Sequence, residues 1–186
     1  MLLLLCSITV AAQNQFETNY SFIENKGQFN GRNWNTSDPV LFGYNHNPFY
    51  VFLSKNGMTY RFDKMIKNPK RKEQPEALPK RVNISELVKT QWLNSNENVE
   101  IISSDKVSPY YSFAINGADG NVQNVNHVHG FQTITYKNLY DNIDVIYTIH
   151  PEGGIKYNVV LHPGSDPSVL QMKYESAHTN TLNENV

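Results

Sequence analysis

Two seven-residue runs, Ile143–Ile149 (IDVIYTI) and Ile155–Leu161 (IKYNVVL), constrain the fold of this chain more than any other feature. β-branched and aromatic residues dominate both, the composition that suits a pleated, half-buried surface. The five residues between them, HPEGG, contain two glycines. Two such runs joined by a short Gly-containing loop predict an antiparallel hairpin. The stretch that follows, LHPGSDPS (161–168), places a His, an Asp and two Ser in eight positions, the residue types of a hydrolase triad. Its local chemistry points to a corner instead. Pro163-Gly164 suits the centre of a type II turn, and Asp166 before Pro167 is held extended, away from helix. A nucleophile elbow needs Gly-x-Ser-x-Gly between a strand and a helix, and the glycines here do not fit that spacing.

Other segments read the same way. VLFGY (40–44), FYVFLS (49–54) and MTYRF (58–62) are apolar and aromatic, and Asn56-Gly57 marks a hairpin between the last two. NISELVKTQWL (83–93) resembles a helix capping box at its start, yet Val88, Thr90 and Trp92 alternate as a strand does. VEII (99–102), YYSFAI (110–115), FQTITY (131–136) and VLQMKY (169–174) complete the set. Residues 63–82 carry dense charge and three prolines, which predicts an exposed loop. About ten short strands with turn punctuation suit an antiparallel sandwich or an open barrel-like sheet. The expected fold is all-β, an antiparallel β-sandwich of about ten short strands, truncated at its C-terminal side.

The first twelve residues, MLLLLCSITVAA, are apolar and end in small residues. They are too few to span a bilayer, which takes about 20. They read as a signal peptide over 1–12, possessing no Lys or Arg after Met1, with Val10 and Ala12 framing cleavage before Gln13. A lipoprotein signal at Cys6 is the alternative, for which Leu5 is a poor neighbour. Cys6 is the only cysteine, so the mature domain (13–186) would have no disulfide. Exported domains without disulfides point to a bacterial secreted or cell-surface protein, in which the sequons at Asn19, Asn35 and Asn83 carry little meaning. The net charge of −1 gives no field for nucleic acid or an anionic membrane. The basic loop lacks interleaved aromatics to stack bases.

Four constellations are candidate sites. His127-x-His129, joined by His150 and His162, offers imidazoles, but the two read more simply as loop histidines. Asn116, Asp119 and Asn121 carry side-chain oxygens without the register of a calcium loop. Glu24 and Asp144 form a candidate carboxylate pair, with backbone hydrogen bonding as the simpler role. Trp34, Tyr44, Phe49, Tyr110 and Tyr111 form a candidate sugar-stacking platform. No catalytic, cofactor-binding or metal residue is assigned, and no cofactor is expected.

The segment Tyr136–Ala177 resembles the signature of a family of domains of unknown function, found near the N-termini of large secreted proteins of Bacteroidota type. FIENKGQF (22–29) resembles the family's opening Phe-Val-Glu-Asn-Arg-Gly-Gln. Asp141-Asn142 replaces the family's Pro-Gly, and Asn158 stands where Asp is usual. The resemblance implies propeller-like (SBBP) repeats or gliding-motility-associated and sorting segments downstream, and no catalytic residues. The expected function is a non-catalytic extracellular or cell-surface module with a structural, adhesive or docking role. Its partners would be downstream modules of the same polypeptide and cell-surface or matrix components. An accessory glycan-binding domain of a secreted carbohydrate-active enzyme, with polysaccharide as partner, is the alternative.

Overall fold

The computed structural model describes residues 20–30, 38–46, 48–72, 78–116 and 121–179. The signal reading, the sequons at Asn19 and Asn35, Trp34 and Asp119 lie outside them. Ten strands follow one another: β1 (Phe22–Glu24), β2 (Phe42–His46), β3 (Phe49–Ser54), β4 (Gly57–Lys67), β5 (Arg81–Trp92), β6 (Glu100–Asn116), β7 (Val122–Tyr140), β8 (Ile143–Ile149), β9 (Ile155–Leu161) and β10 (Met172–Thr179). Every pairing is antiparallel, and the predicted β8–β9 hairpin forms with the expected bounds, from Ile143 opposite Leu161 to Ile149 opposite Ile155.

The all-β expectation holds; the separate pair of sheets does not form. The strands make one open sheet in the order β10-β5-β4-β3-β2-β1-β7-β8-β9, with β6 on the other edge of β7. This sheet bends around its own core. Trp92 Nε1 on β5 donates to the Tyr147 hydroxyl on β8 at 2.8 Å, although five strands separate β5 from β8 in the sheet order. The Tyr136 hydroxyl on β7 donates to the Ser54 carbonyl on β3 at 2.6 Å. Tyr44, Val51, Leu53, Met58, Val145 and Tyr147 fill the interior. Side chains alternate across a strand, so Phe52 and Val40 meet on the outer face and make a second, smaller cluster.

In the strand ladder the two halves of the sheet are joined through β1. Ile23 pairs with Gly43 on β2 and with Gly130 on β7. Both glycines are demanded by close approach. A Cβ at Gly43 would lie 2.6 Å from the Phe29 ring, and one at Gly130 would lie 2.8 Å from Ser21 Cβ and 2.9 Å from the Tyr111 ring.

Several segments are more regular than the sequence suggests. The loop expected from Asp63 begins only after Lys67, because β4 and β5 stay paired out to Lys67 opposite Arg81. Asp63 helps carry that extension, its Oδ1 accepting from Arg61 Nε at 2.6 Å and from the Ser85 hydroxyl at 2.7 Å. VEII and YYSFAI are parts of one strand, β6, bulged between Lys106 and Tyr110 and again between Tyr111 and Phe113. At the Asn56-Gly57 turn, Gly57 is already paired with Ser54, and neither Asn56 nor Gly57 has positive φ. Glycine is needed there because a Cβ would run into the Thr90 carbonyl on β5.

Candidate functional site

The corner that follows β9 is built as a turn. Gly164 has φ 87°, and Ser165 N donates to the His162 carbonyl at 3.1 Å. Asp166 is extended, as expected before proline, but it also caps a short 3-10 turn over Pro167–Val169, accepting from Ser168 N at 2.9 Å. This helical turn departs from the purely extended conformation that Asp-Pro predicts. Proline at the first position of the turn removes an N–H that has no partner there anyway, which makes such a turn compatible with Asp-Pro.

The carboxylate that meets His162 is not Asp166. It is Asp144, at the start of β8, whose Oδ2 lies 2.8 Å from His162 Nε2. Asp144 Oδ1 accepts from Asn138 N at 2.7 Å, fastening the turn between β7 and β8. Partial burial pushes the Asp144 pKa up. The Asn138 N–H, the His162 ring and the nearby Lys137 outweigh that and hold it below the usual carboxylate range. Among the described residues the His162 ring bonds to Asp144, and Ser168 is bound to Asp166. The pair orients an imidazole without a hydroxyl nucleophile on it. Beside the corner lies an open polar cleft of about 690 Å³, lined by Asn94, Asn96, Tyr140, Asp141, Asp166 and Ser168 among others.

The FIENKGQF segment makes the second motif site. Asn25 Oδ1 accepts from Gly27 N at 2.9 Å and Phe29 N at 3.2 Å, while Gln28, buried, donates from Nε2 to the Glu24 carbonyl at 2.6 Å. Gly27 has φ 114°, a value that favours glycine. Glu24 Oε1 accepts from His129 N at 2.8 Å and pairs with Lys26 Nζ at 3.0 Å. Ile23 already faces Gly130, so the Glu24 side chain prolongs the β1–β7 ladder by one rung. Burial raises the Glu24 pKa, and the His129 N–H and Lys26 more than reverse it. Glu24 and Asp144 therefore both serve backbone donors, the simpler of the roles considered.

The remaining candidates are dispersed. His127 and His129 belong to strand β7 rather than to a loop. His127 has φ 55° and stacks on Tyr110, with ring centroids 4.7 Å apart. His129 Nε2 is 3.2 Å from Lys106 Nζ, and His150 Nδ1 accepts from Glu152 N at 3.2 Å. Among the described residues no group of three or more His, Cys, Asp or Glu is placed to hold a metal ion. Among its described members the aromatic platform does not assemble: Tyr44 is interior, the Tyr111 hydroxyl is 2.7 Å from the Ser21 hydroxyl, and Tyr110 lies against His127.

Both motifs, from Phe22 through the corner, fall within the region matched by a family model, residues 22–186, described as a domain of unknown function, DUF7948. The chain belongs to this family. Searches of curated proteins and of solved structures returned no match. What the DUF7948 domain displays in its two motifs is thus a pair of carboxylates holding strand ends together. No described helix is long and apolar enough to cross a membrane.

Proposed function

We propose that this DUF7948 domain is a non-catalytic module of a larger exported bacterial protein of Bacteroidota type. It works outside the cytoplasm in a structural, adhesive or docking role, beside propeller-like repeats or a gliding-motility-associated segment of the same polypeptide. The observation that supports this reading is the use of the motif carboxylates. Glu24 and Asp144 spend their oxygens on the N–H groups of His129 and Asn138, and so maintain the sheet. A module that spaces or docks needs a stiff frame, and these are framing contacts. The apolar start and the lone Cys6 within it support export.

The test is a fusion of residues 1–186 to alkaline phosphatase, which is active only outside the reducing cytoplasm. Active fusion protein in the periplasm, on the surface or in the medium is expected. An inactive fusion retained in the cytoplasm refutes the reading.

A further inference from the structure

A cavity of about 220 Å³ lies on the outer face of β2, β3 and β4, beside the far end of β6. Strand register builds its floor. Asn45 on β2 faces Tyr50 on β3, which faces Arg61 on β4, so the three side chains share one row on one face. Phe52 lies two residues along β3 on the same face. Phe29, delivered by the turn after β1, meets Phe52 edge-on at 5.6 Å and Phe113 of β6 at 6.1 Å. The polar side is the Arg61–Asp63 pair, and the guanidinium stands 5.7 Å from the Tyr50 ring centre. Among the described residues, the Asn45 amide and the Tyr50 hydroxyl are engaged in no hydrogen bond.

We propose that this cavity binds one ring of a neutral carbohydrate. Phenylalanine and tyrosine faces accept the C–H face of a sugar ring. The Asn45 amide, the Tyr50 hydroxyl, the Asp63 carboxylate and the Arg61 guanidinium offer both donors and acceptors, as a ring of hydroxyls requires. The ligand is neutral because Arg61 is already compensated by Asp63, and an anion would have to compete with that carboxylate at 2.6 Å. It is one ring because the volume falls below the ~300 Å³ at which pockets for drug-sized ligands begin. The inference goes beyond the module reading and does not depend on it.

The experiment is saturation-transfer NMR on the full chain with glucose, galactose, mannose, N-acetylglucosamine and glucuronate, repeated on Asn45→Ala, Phe113→Ala and Asn96→Ala. Asn45 is exposed, so its truncation leaves the fold intact even if the loss of Phe113 does not. At least one neutral sugar is expected to bind saturably in the millimolar range, with affinity falling about tenfold or more in Asn45→Ala and unchanged in Asn96→Ala, which lies in the polar cleft. Three results would overturn the proposal: no neutral sugar bound, equal binding by Asn45→Ala, or glucuronate preferred over every neutral sugar.

Discussion

Tyr147→Phe tests how the two halves of the sheet are held together. The Tyr147 side chain is 0% exposed and Trp92 is 5% exposed, so the indole N–H that Tyr147 accepts has no water to turn to. Replacing Tyr by Phe keeps the ring and its edge-on contact with Tyr136, at 5.2 Å between centroids, and removes only the acceptor. A buried donor left without a partner costs about 1–3 kcal/mol. We take ~2 kcal/mol as the expected loss; for a domain of this size each kcal/mol moves the melting temperature by roughly 2–4 °C, giving a fall of about 4–8 °C. The assay is thermal and urea unfolding followed by circular dichroism, for Tyr147→Phe, Trp92→Phe and the double variant. Adding Tyr147→Phe to Trp92→Phe should cost under about 1 kcal/mol, because the stranded N–H is then gone. A single variant that melts within about 1 °C of the parent, or strictly additive losses, would refute the reasoning.

Other outcomes follow from the same contacts. The folded-state pKa of Asp144 lies below its unfolded value of about 3.9. Its contribution to stability is therefore present above that value and lost as pH falls through the folded pKa; acid titration of Asp144→Asn should show a shallower loss below about pH 4 than the parent does. Gly57→Ala drives a Cβ into the backbone at Thr90 and should cost about 3 kcal/mol or prevent folding, read by urea unfolding. Glu24→Gln retains an oxygen for His129 N and should lose under about 1 kcal/mol, whereas Glu24→Ala should lose roughly 1–2 kcal/mol. Equal losses for the two Glu24 variants would remove the backbone bond from the account.

Local signals in the sequence carried far into the fold, and long-range ones did not. The β8–β9 hairpin was legible because both runs are β-branched and the loop supplies glycine. The Pro163-Gly164 corner was legible because each residue fixes its own φ. The unity of β6 and the true length of β7 were not, since bulges and positive φ at Asp105, His127 and Asn138 break the alternation that marks a strand. β1 was also hidden. Three residues are too few for a periodicity, and its role lies in Gly43 and Gly130, both distant in sequence. The site reading had the same limit: Asp144 and His162 each drew notice, but only the hairpin register brings them together. Asn45, Tyr50 and Arg61 have no common motif and become one row only through pairing.

The three-residue joint at β1 also sets an order of events for the growing chain. β2 to β5 pair with neighbours close in sequence, as do β6 to β9, so each group closes through short loops. Ile23 must wait for Gly130, on the order of a hundred residues later, before the groups become one sheet. A chain emerging from its N-terminus therefore holds the first meander, with β1 unclaimed on one edge until β7 arrives. During that interval Phe22, later among the most deeply buried side chains, stays uncovered on its β7 side. The joining of the two groups is tied to delivery of β7, and the rate of that delivery governs how long β1 presents an open edge.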